Sequence, residues 1–503
     1  MGKFLMFQGT ASSAGKSVIA AGMIRLLHNK GFKVAPFKAQ NMSLNSGVTL
    51  QGEEIGRAQI LQAQAACIEP DARMNPILLK PQGANRIQVI VKGKVWRTCA
   101  SFEYYQCVEE LWRVVRESLD SLAREFDLVV IEGAGSPAEI NLRHKDLVNM
   151  RVARYCNAPV ILIGDIDRGG VFASLYGTWA LFDEEERKLL RGFLINKFRG
   201  ERRILEPALQ EIEKLTGVPV LGVLPYLELH LDEEDSLSEH LRDRKRKSLL
   251  AGDVFRVGVI RLPHIANYTD FQPLEREPYL KLSYITSARE LAGLDLLIIP
   301  GTKNTFSDLA WLRERGFNEA IEGFLKAGGL VMGICGGFQM LGERLLDPWG
   351  LESPDHAVSG LGFLAMETCF GREKILRRVE GHLAGEASAR FAGYEIHMGE
   401  THFEKEYPPL LAIEKILDQN LQRFEGVCVG KQIFGTYVHG LFDRTSFRKR
   451  FFDLLRQEKG LPALEEGVTV SWEETREKEL ARISEVLEEN LDPKFLDCLL
   501  AGQ

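Results

Sequence analysis

Six short apolar runs, KFLMF, VAPF, DLVVI, PVILI, FLI and PVLGVL, recur through the first ~230 residues with helical patterns between them. Several end directly in polar or glycine-rich loops: QGTASSAGKS, KAQN, EGAG, GDIDRGG and NKFRG. Such alternation predicts a parallel α/β sheet. Open parallel sheets bind ligands outside the carboxyl ends of their strands, so functional residues should gather in those loops.

The alternation breaks at a stretch dense in both charges, DEEDSLSEHLRDRKRKS, and restarts with FRVGVI, LDLLIIP and GGLVMGI. A β-rich region containing GVCVGKQIFGTYVHG follows, and the last residues are charged and helical in pattern, expected to pack as a cap without chemistry of its own. The expected organisation is a first domain over 1–232, a charged linker over 233–252, a second α/β domain over 253–450 and a C-terminal helical segment over 451–503. The length of 503 residues accommodates that many units.

Composition narrows the function classes. Hydrophobic content of 45% and charged content of 26% describe an ordinary soluble chain. A net charge of −7 gives no electrostatic footprint for nucleic acid, so no nucleic-acid partner is expected. No apolar run is long enough to span a bilayer, and the start FLMF is too short for a secretory signal. The eight cysteines are scattered without a CxxC pair. They are expected to be reduced thiols in a cytoplasmic protein, seven of them as small buried apolar residues.

The loop Gly9–Ser17, GTASSAGKS, closes in G-K-S as a P-loop does, although five residues separate its glycines where the common pattern has four. A strand feeding a glycine turn and then a helix lets backbone N–H groups and the helix N-terminus cradle phosphate oxygens. Gly9, Thr10, Ser13, Ala14, Gly15, Lys16 and Ser17 are the expected nucleotide contacts, with Lys16 reaching the outer phosphates and Ser17 ligating Mg²⁺. Glu132, at the end of DLVVIEGAGS, is the expected carboxylate at that metal. Asp165 and Asp167 are weaker candidates, because aspartates in glycine turns commonly serve the turn. Lys38 follows the second strand and can neutralise charge on phosphate or on a carboxylate substrate. Gln40, Asn41 and Ser43 could read substrate carboxylates or amides, or could simply form an Asx-type loop.

The stretch GLVMGICGGFQMLG places Cys335 between a strand and a helix, with glycines on both sides. Those glycines permit the cramped backbone of a nucleophile elbow. A nucleophilic thiol needs an imidazole base, and His439 in GTYVHGLFD is the best placed candidate. His397 and His402 lack a further ligand cluster, so no metal is expected there. His264 could line a domain interface.

The loop spacing together with the strand ends at Glu132 and Lys38 resembles the dethiobiotin synthetase-like P-loop families, which activate a carboxylate with ATP. The cysteine elbow with its histidine resembles class I glutamine amidotransferases, which release ammonia through a glutamyl thioester. That resemblance implies an oxyanion hole formed by the Gly336 N–H and backbone near Gly301. The common pattern has a glutamate two residues after the histidine, where this chain has Leu441, so the third group is absent or comes from elsewhere, as in the branch that looks like a Cys–His dyad.

Across nearly the whole chain, PFKAQNMSLNS, EIGRAQ, MNPILLKP, GDIDRGGVFASLYGT, LPHIANYTDFQPLE, PGTKNT, GICGGFQMLG, GYEIHMGET and GTYVHGLFD closely resemble the cobyric acid synthase family. The resemblance implies ATP and Mg²⁺ as cofactors, and L-glutamine and a corrinoid a,c-diamide as substrates. It implies amidation of the b, d, e and g carboxylates of adenosylcobyrinic acid a,c-diamide or its hydrogenobyrinic counterpart, in an unspecified oligomeric state. The expected fold is α/β, a P-loop parallel-sheet domain followed by a class I glutamine amidotransferase-like α/β domain. A cobyrinic acid a,c-diamide synthase shares both domain types, but QNMSLNS and MNPILLKP favour the former family. A partition-type P-loop switch would leave Cys335 and His439 unexplained. A stand-alone thiol hydrolase would turn over regardless of ATP and corrinoid.

Overall fold

The computed structural model describes residues 3–83, 85–229, 231, 254–465 and 467–501. The expected linker, 233–252, lies outside the described residues. The first domain is built on a six-stranded parallel sheet, ordered Val220–Pro225, Leu190–Phe198, Val160–Asp165, Lys3–Gly9, Leu128–Glu132, Val34–Phe37. These strands contain the six apolar runs of the sequence. Leu128–Glu132 is buried throughout, which is why it carries no polar alternation. The register sets Phe7 beside Glu132 and Gly9 beside Ile163, so three functional loops leave one edge together.

One excursion from this plan had no signal in the alternation. Gln40–Met42, Ile77–Pro81, Arg86–Val91 and Lys94–Ala100 form a second, four-stranded sheet with hairpin pairing among the last three. It reaches toward the second domain.

The second domain repeats the α/β theme. Its sheet runs Leu280–Ile285, Phe255–Ile260, Leu296–Ile299, Leu330–Ile334, Ile433–Thr436 and Val427–Val429, parallel except for the last pair. A seven-stranded sheet dominated by the long antiparallel pair Leu364–Leu383 and Glu386–Phe403 accounts for the β-rich region. Helix Thr445–Glu458 packs Phe447, Phe451 and Phe452 into this domain's core and runs straight through the 450/451 division expected from sequence.

The last long helix, Trp472–Asn490, returns to the first domain. Its Ile483 and Leu487 lie against Gly22 of the P-loop helix Lys16–Asn29, and Glu477 pairs with Arg25 at 2.6 Å. Burying each of those apolar side chains contributes about 1.5–3 kcal/mol. The C-terminal segment thus caps the nucleotide loop's own helix from behind.

The two domains meet through buried polar contacts. Glu54 of the first domain pairs with Lys374 of the second at 2.5 Å, Asn267 Oδ1 accepts the Ser46 N–H at 3.0 Å, and Asn304 Nδ2 donates to the Gln82 carbonyl at 3.2 Å. All eight cysteines are free, but the expectation that seven are buried is corrected: Cys67 and Cys498 are exposed and four others half-buried, because most sit on helix ends or sheet edges. Among the described residues no helix is long and apolar enough to cross a membrane.

Candidate active site

The loop Gly9–Ser17 wraps the N-terminus of helix Lys16–Asn29. Gly15 takes φ +100°, and a Cβ there would lie 2.2 Å from Asn196 Nδ2, so conformation and space both demand glycine. Asn196 Nδ2 donates to the Ala14 carbonyl at 3.0 Å and Lys197 Nζ to the Ser13 carbonyl at 2.8 Å. Ser13 itself sits at φ +59°. These two residues of the NKFRG loop hold the phosphate loop from behind, a role the sequence did not reveal. Thr10 is anchored by its N–H to the Ile163 carbonyl at 2.9 Å. The Lys16 ammonium donates to the carbonyls of Ala11 and Gly135, at 3.0 and 3.1 Å.

Glu132 is the centre of the polar floor. Its Oε1 accepts from the Ser17 hydroxyl at 2.7 Å and from Lys38 Nζ at 2.9 Å, and its Oε2 from Gln62 Nε2 at 2.6 Å. Burial pushes this carboxyl up, but the Lys38 charge and the three hydrogen bonds outweigh it and hold the group below the usual carboxylate range. An adjacent hydroxyl and carboxylate form an oxygen-only donor pair, which suits Mg²⁺ completed by ligand phosphates and water. Among the described residues no group of three His, Cys, Asp or Glu forms a self-sufficient metal centre.

Asp165 and Asp167 are not brought to this floor. Asp165 pairs with Lys197 at 2.8 Å and Asp167 with Arg199 at 3.1 Å, on the side of Asn196 and Lys197. Gln40 and Asn41 do line the large cavity of about 1160 Å³ that opens from Thr10 and Lys16. Gln40 accepts from the Tyr104 hydroxyl, while buried Asn41 donates to Gln59 Oε1 at 3.1 Å. Ser43 closes a local turn with Asn45 instead. Met42 and Tyr105 give the cavity an apolar flank, and Arg143, Lys145 and Arg151 a basic one.

In the second domain, strand Leu330–Ile334 ends at Cys335, whose φ of 51° and ψ of −111° put it in a strained elbow. The bend exists because Gly337 presses on the neighbouring strand end: a Cβ there would stand 2.0 Å from the Ile299 carbonyl oxygen. Gly336 follows the cysteine and abuts Thr302 of the loop that begins with Gly301. Gly301 lines the thiol cavity and packs against the His439 ring.

His439 and Cys335 line the same cavity, where the Cys335 thiol donates to the Ile396 carbonyl at 3.6 Å and its charge favours the protonated imidazole. The His439 Nδ1 meets Asp270 Oδ2 at 2.6 Å, and Asp270 Oδ1 accepts the Gly440 N–H at 2.9 Å. Burial alone would lower the imidazole, but Asp270's charge and hydrogen bond, with Cys335, raise it to about 10. Asp270 was missed from sequence. It lies in YTDF, on a short 3₁₀ turn with all four residues buried, and an aspartate among aromatic neighbours was its only trace.

His397 also lines this cavity, stacked on Tyr437 with ring centroids 3.9 Å apart and pushed down to about 3 by burial. His402 lies away from it on the sheet, opposite Glu367. His264 pairs with Asp308 at 2.8 Å and faces the first domain, where a Cβ on Gly83 would be 3.0 Å from its Nε2.

Residues 5–236 match the model of the CobQ/CobB/MinD/ParA nucleotide binding domain, and residues 256–447 that of the CobB/CobQ-like glutamine amidotransferase domain. A cobyric acid synthase of Alkaliphilus metalliredigens is 44% identical over 99% of this chain and 100% of its own length. One from Yersinia enterocolitica is 46% identical over 97% of this chain and 96% of its own. One from Listeria monocytogenes is 44% identical over 100% of this chain and 98% of its own.

Proposed function

Since the chain belongs to the cobyric acid synthase family, we propose that it amidates the b, d, e and g carboxylates of adenosylcobyrinic acid a,c-diamide, or of the hydrogenobyrinic counterpart, using glutamine and Mg-ATP. The observation that carries this reading is the pairing of two complementary sites on one chain. The Ser17–Glu132–Lys38 floor suits carboxylate activation, and the Cys335–His439–Asp270 line suits release of ammonia.

In the first domain the P-loop holds the nucleotide phosphates and Lys16 and Lys38 balance their charge. Ser17 and Glu132 would hold Mg²⁺, which would supply further neutralisation of charge on the phosphates. A corrinoid carboxylate oxygen attacks the γ-phosphorus in line, and ADP leaves with the bridging oxygen's electrons, giving an acyl phosphate. Gln40 and Asn41 orient the arm bearing that carboxylate.

In the second domain the Cys335 sulfur attacks the glutamine carboxamide carbon. His439 delivers a proton to the departing nitrogen, so ammonia leaves and a glutamyl thioester remains. Backbone N–H groups at Gly336 and near Gly301 face the tetrahedral oxyanion, the kind of donor whose loss costs about 10²–10³ in rate. Water deprotonated by His439 then releases glutamate. Ammonia attacks the acyl phosphate, forming the amide and freeing phosphate. Asp270 keeps the imidazole in one tautomer throughout.

The acyl phosphate is tested by labelling one corrinoid carboxylate with ¹⁸O. Transfer of one label to inorganic phosphate when that carboxylate is amidated is expected. Phosphate free of label would exclude this route.

A further inference from the structure

The cavity that holds Cys335 and His439 also contains charge the reaction above does not use. Lys80, Lys303, Lys374 and Glu352 all line it, and each is buried or nearly so. Placing an ion there costs several kcal/mol unless it is paired. Lys80 and Lys374 are paired: both contact Glu54, at 2.5 Å each. Lys303 is different. It is 8% exposed, and among the described residues its ammonium makes no hydrogen bond or salt bridge.

Glu352 answers it without touching it. Its Oε2 accepts the Thr305 N–H at 2.8 Å, and it interacts with Lys303 through charge, with no salt-bridge contact between them. Both residues are held by their backbones. The Lys303 N–H is fixed on the His264 carbonyl at 2.9 Å. The turn carrying Glu352 is fixed by fully buried Asp347, which accepts the N–H groups of Leu351, Glu352 and Ser353 at 2.9, 2.8 and 3.1 Å. An oriented cation without a hydrogen-bonding partner and an oriented anion held by Thr305 share a cavity with the thiol.

We propose that Lys303 and Glu352 seat the amino-acid end of glutamine, Lys303 taking the α-carboxylate and Glu352 the α-ammonium, with the carboxamide at Cys335. This rests on the reading that Cys335 attacks glutamine. Charge-assisted contacts of this kind discriminate strongly, because a donor lacking either group leaves a buried charge unpaired. Bound glutamine supplies what each side chain lacks: burial pushes Lys303 down to about 8 and Glu352 up to about 7, and a zwitterion between them reverses both tendencies. The seat is completed across the domain boundary. Lys80 and Glu54 belong to the first domain, and Glu54 pins Lys374 against the same cavity, so the wall around the seat is complete only when the domains are docked.

The test uses full-length enzyme and three amide donors: glutamine, 4-aminobutanamide (no α-carboxylate) and glutaramic acid (no α-amino group). Lys303→Met should raise the KM for glutamine at least about tenfold, equivalent to about 1.4 kcal/mol. It should leave kcat/KM for 4-aminobutanamide nearly unchanged. Glu352→Gln should weaken glutamine in the same way but spare glutaramic acid. Amidation driven by ammonium chloride bypasses the seat and reports folding, so the ratio of glutamine-supported to ammonium-supported amidation should fall in both variants. Equal losses for glutamine and its truncated analogue, or an unchanged glutamine KM, overturn the proposal. A Cys335→Ala enzyme that still releases ammonia from glutamine overturns the underlying reading instead.

Discussion

His439 and Asp270 are 169 residues apart in the chain, yet the imidazole Nδ1 and the carboxylate Oδ2 lie 2.6 Å apart in a fully buried pair. The position two residues after the histidine is Leu441, 1% exposed and packed in the core, so the orienting carboxylate arrives from another element. The segment that brings it is fastened to the first domain by Ser46 N–H to Asn267 Oδ1, three residues before Asp270. The geometry therefore ties the orientation of the amidotransferase histidine to domain docking.

Asp270→Asn removes the charge while keeping the shape. Glutamine-supported turnover should fall by about 10²–10⁴, as loss of an orienting carboxylate does in hydrolytic triads. Amidation fed with ammonium chloride should persist. Steady-state assays with both nitrogen sources decide it, and parallel loss with both would mean that Asp270 only supports the fold.

How much of this was legible beforehand depended on the kind of signal. The sheet strands were visible because parallel strands buried on both faces read as plain apolar runs. The four-stranded sheet over 40–100 was not, because Gln40–Met42 is only three residues long and the tight turn at Lys92–Gly93 lacks the Asn or Asp that marks such hairpins most strongly. Asp270 and Lys303 act through space, and nothing local distinguishes a buried charge with a distant partner from a surface one. The amphipathic pattern of Trp472–Asn490 showed a buried face but not that it covers a helix over 440 residues earlier.

Glutamine affinity should have a pH window set by the seat. Lys303, lowered to about 8 by burial against Glu352, loses its charge as pH rises above that value and with it the α-carboxylate partner. Glu352, raised to about 7 by burial despite Lys303, is neutralised as pH falls below that value and loses the α-ammonium. The KM for glutamine should be lowest between about 7 and 8 and rise on both sides. The alkaline limb should weaken in Lys303→Met, with a remainder from Lys80, which lines the same cavity and which burial also lowers to about 8, and the acid limb should vanish in Glu352→Gln. Lys80, Lys374, Glu54 and Cys335, which also face Lys303, and Asp347, which faces Glu352, stay in place in both variants.

Lys16→Met and Glu132→Gln attack the other half. Both should reduce amidation at least about 100-fold with glutamine or ammonium as donor, since charge balance on the phosphates is lost for either. Glutamate release in the absence of corrinoid should be far less affected. A variant that regains amidation with ammonium chloride would place these residues outside carboxylate activation.

Gly22→Ala probes the cap. A methyl group there would stand 2.2 Å from Ile483 Cγ2 and 2.8 Å from Leu487 Cδ1. Overpacking of this kind costs about 1–3 kcal/mol, against a helix-propensity gain of at most about 1 kcal/mol. Thermal melting should show the first domain unfolding at lower temperature. A stabilised protein would mean the terminal helix yields readily and does not brace the P-loop helix.

The most direct test of the account is mass spectrometry of adenosylcobyrinic acid a,c-diamide incubated with the enzyme, glutamine and Mg-ATP. Stepwise conversion of four carboxylates to amides, each consuming one glutamine and one ATP, is the predicted result. An unchanged corrinoid, from folded enzyme and verified substrate, would contradict the assignment and move the search to another carboxylate acceptor.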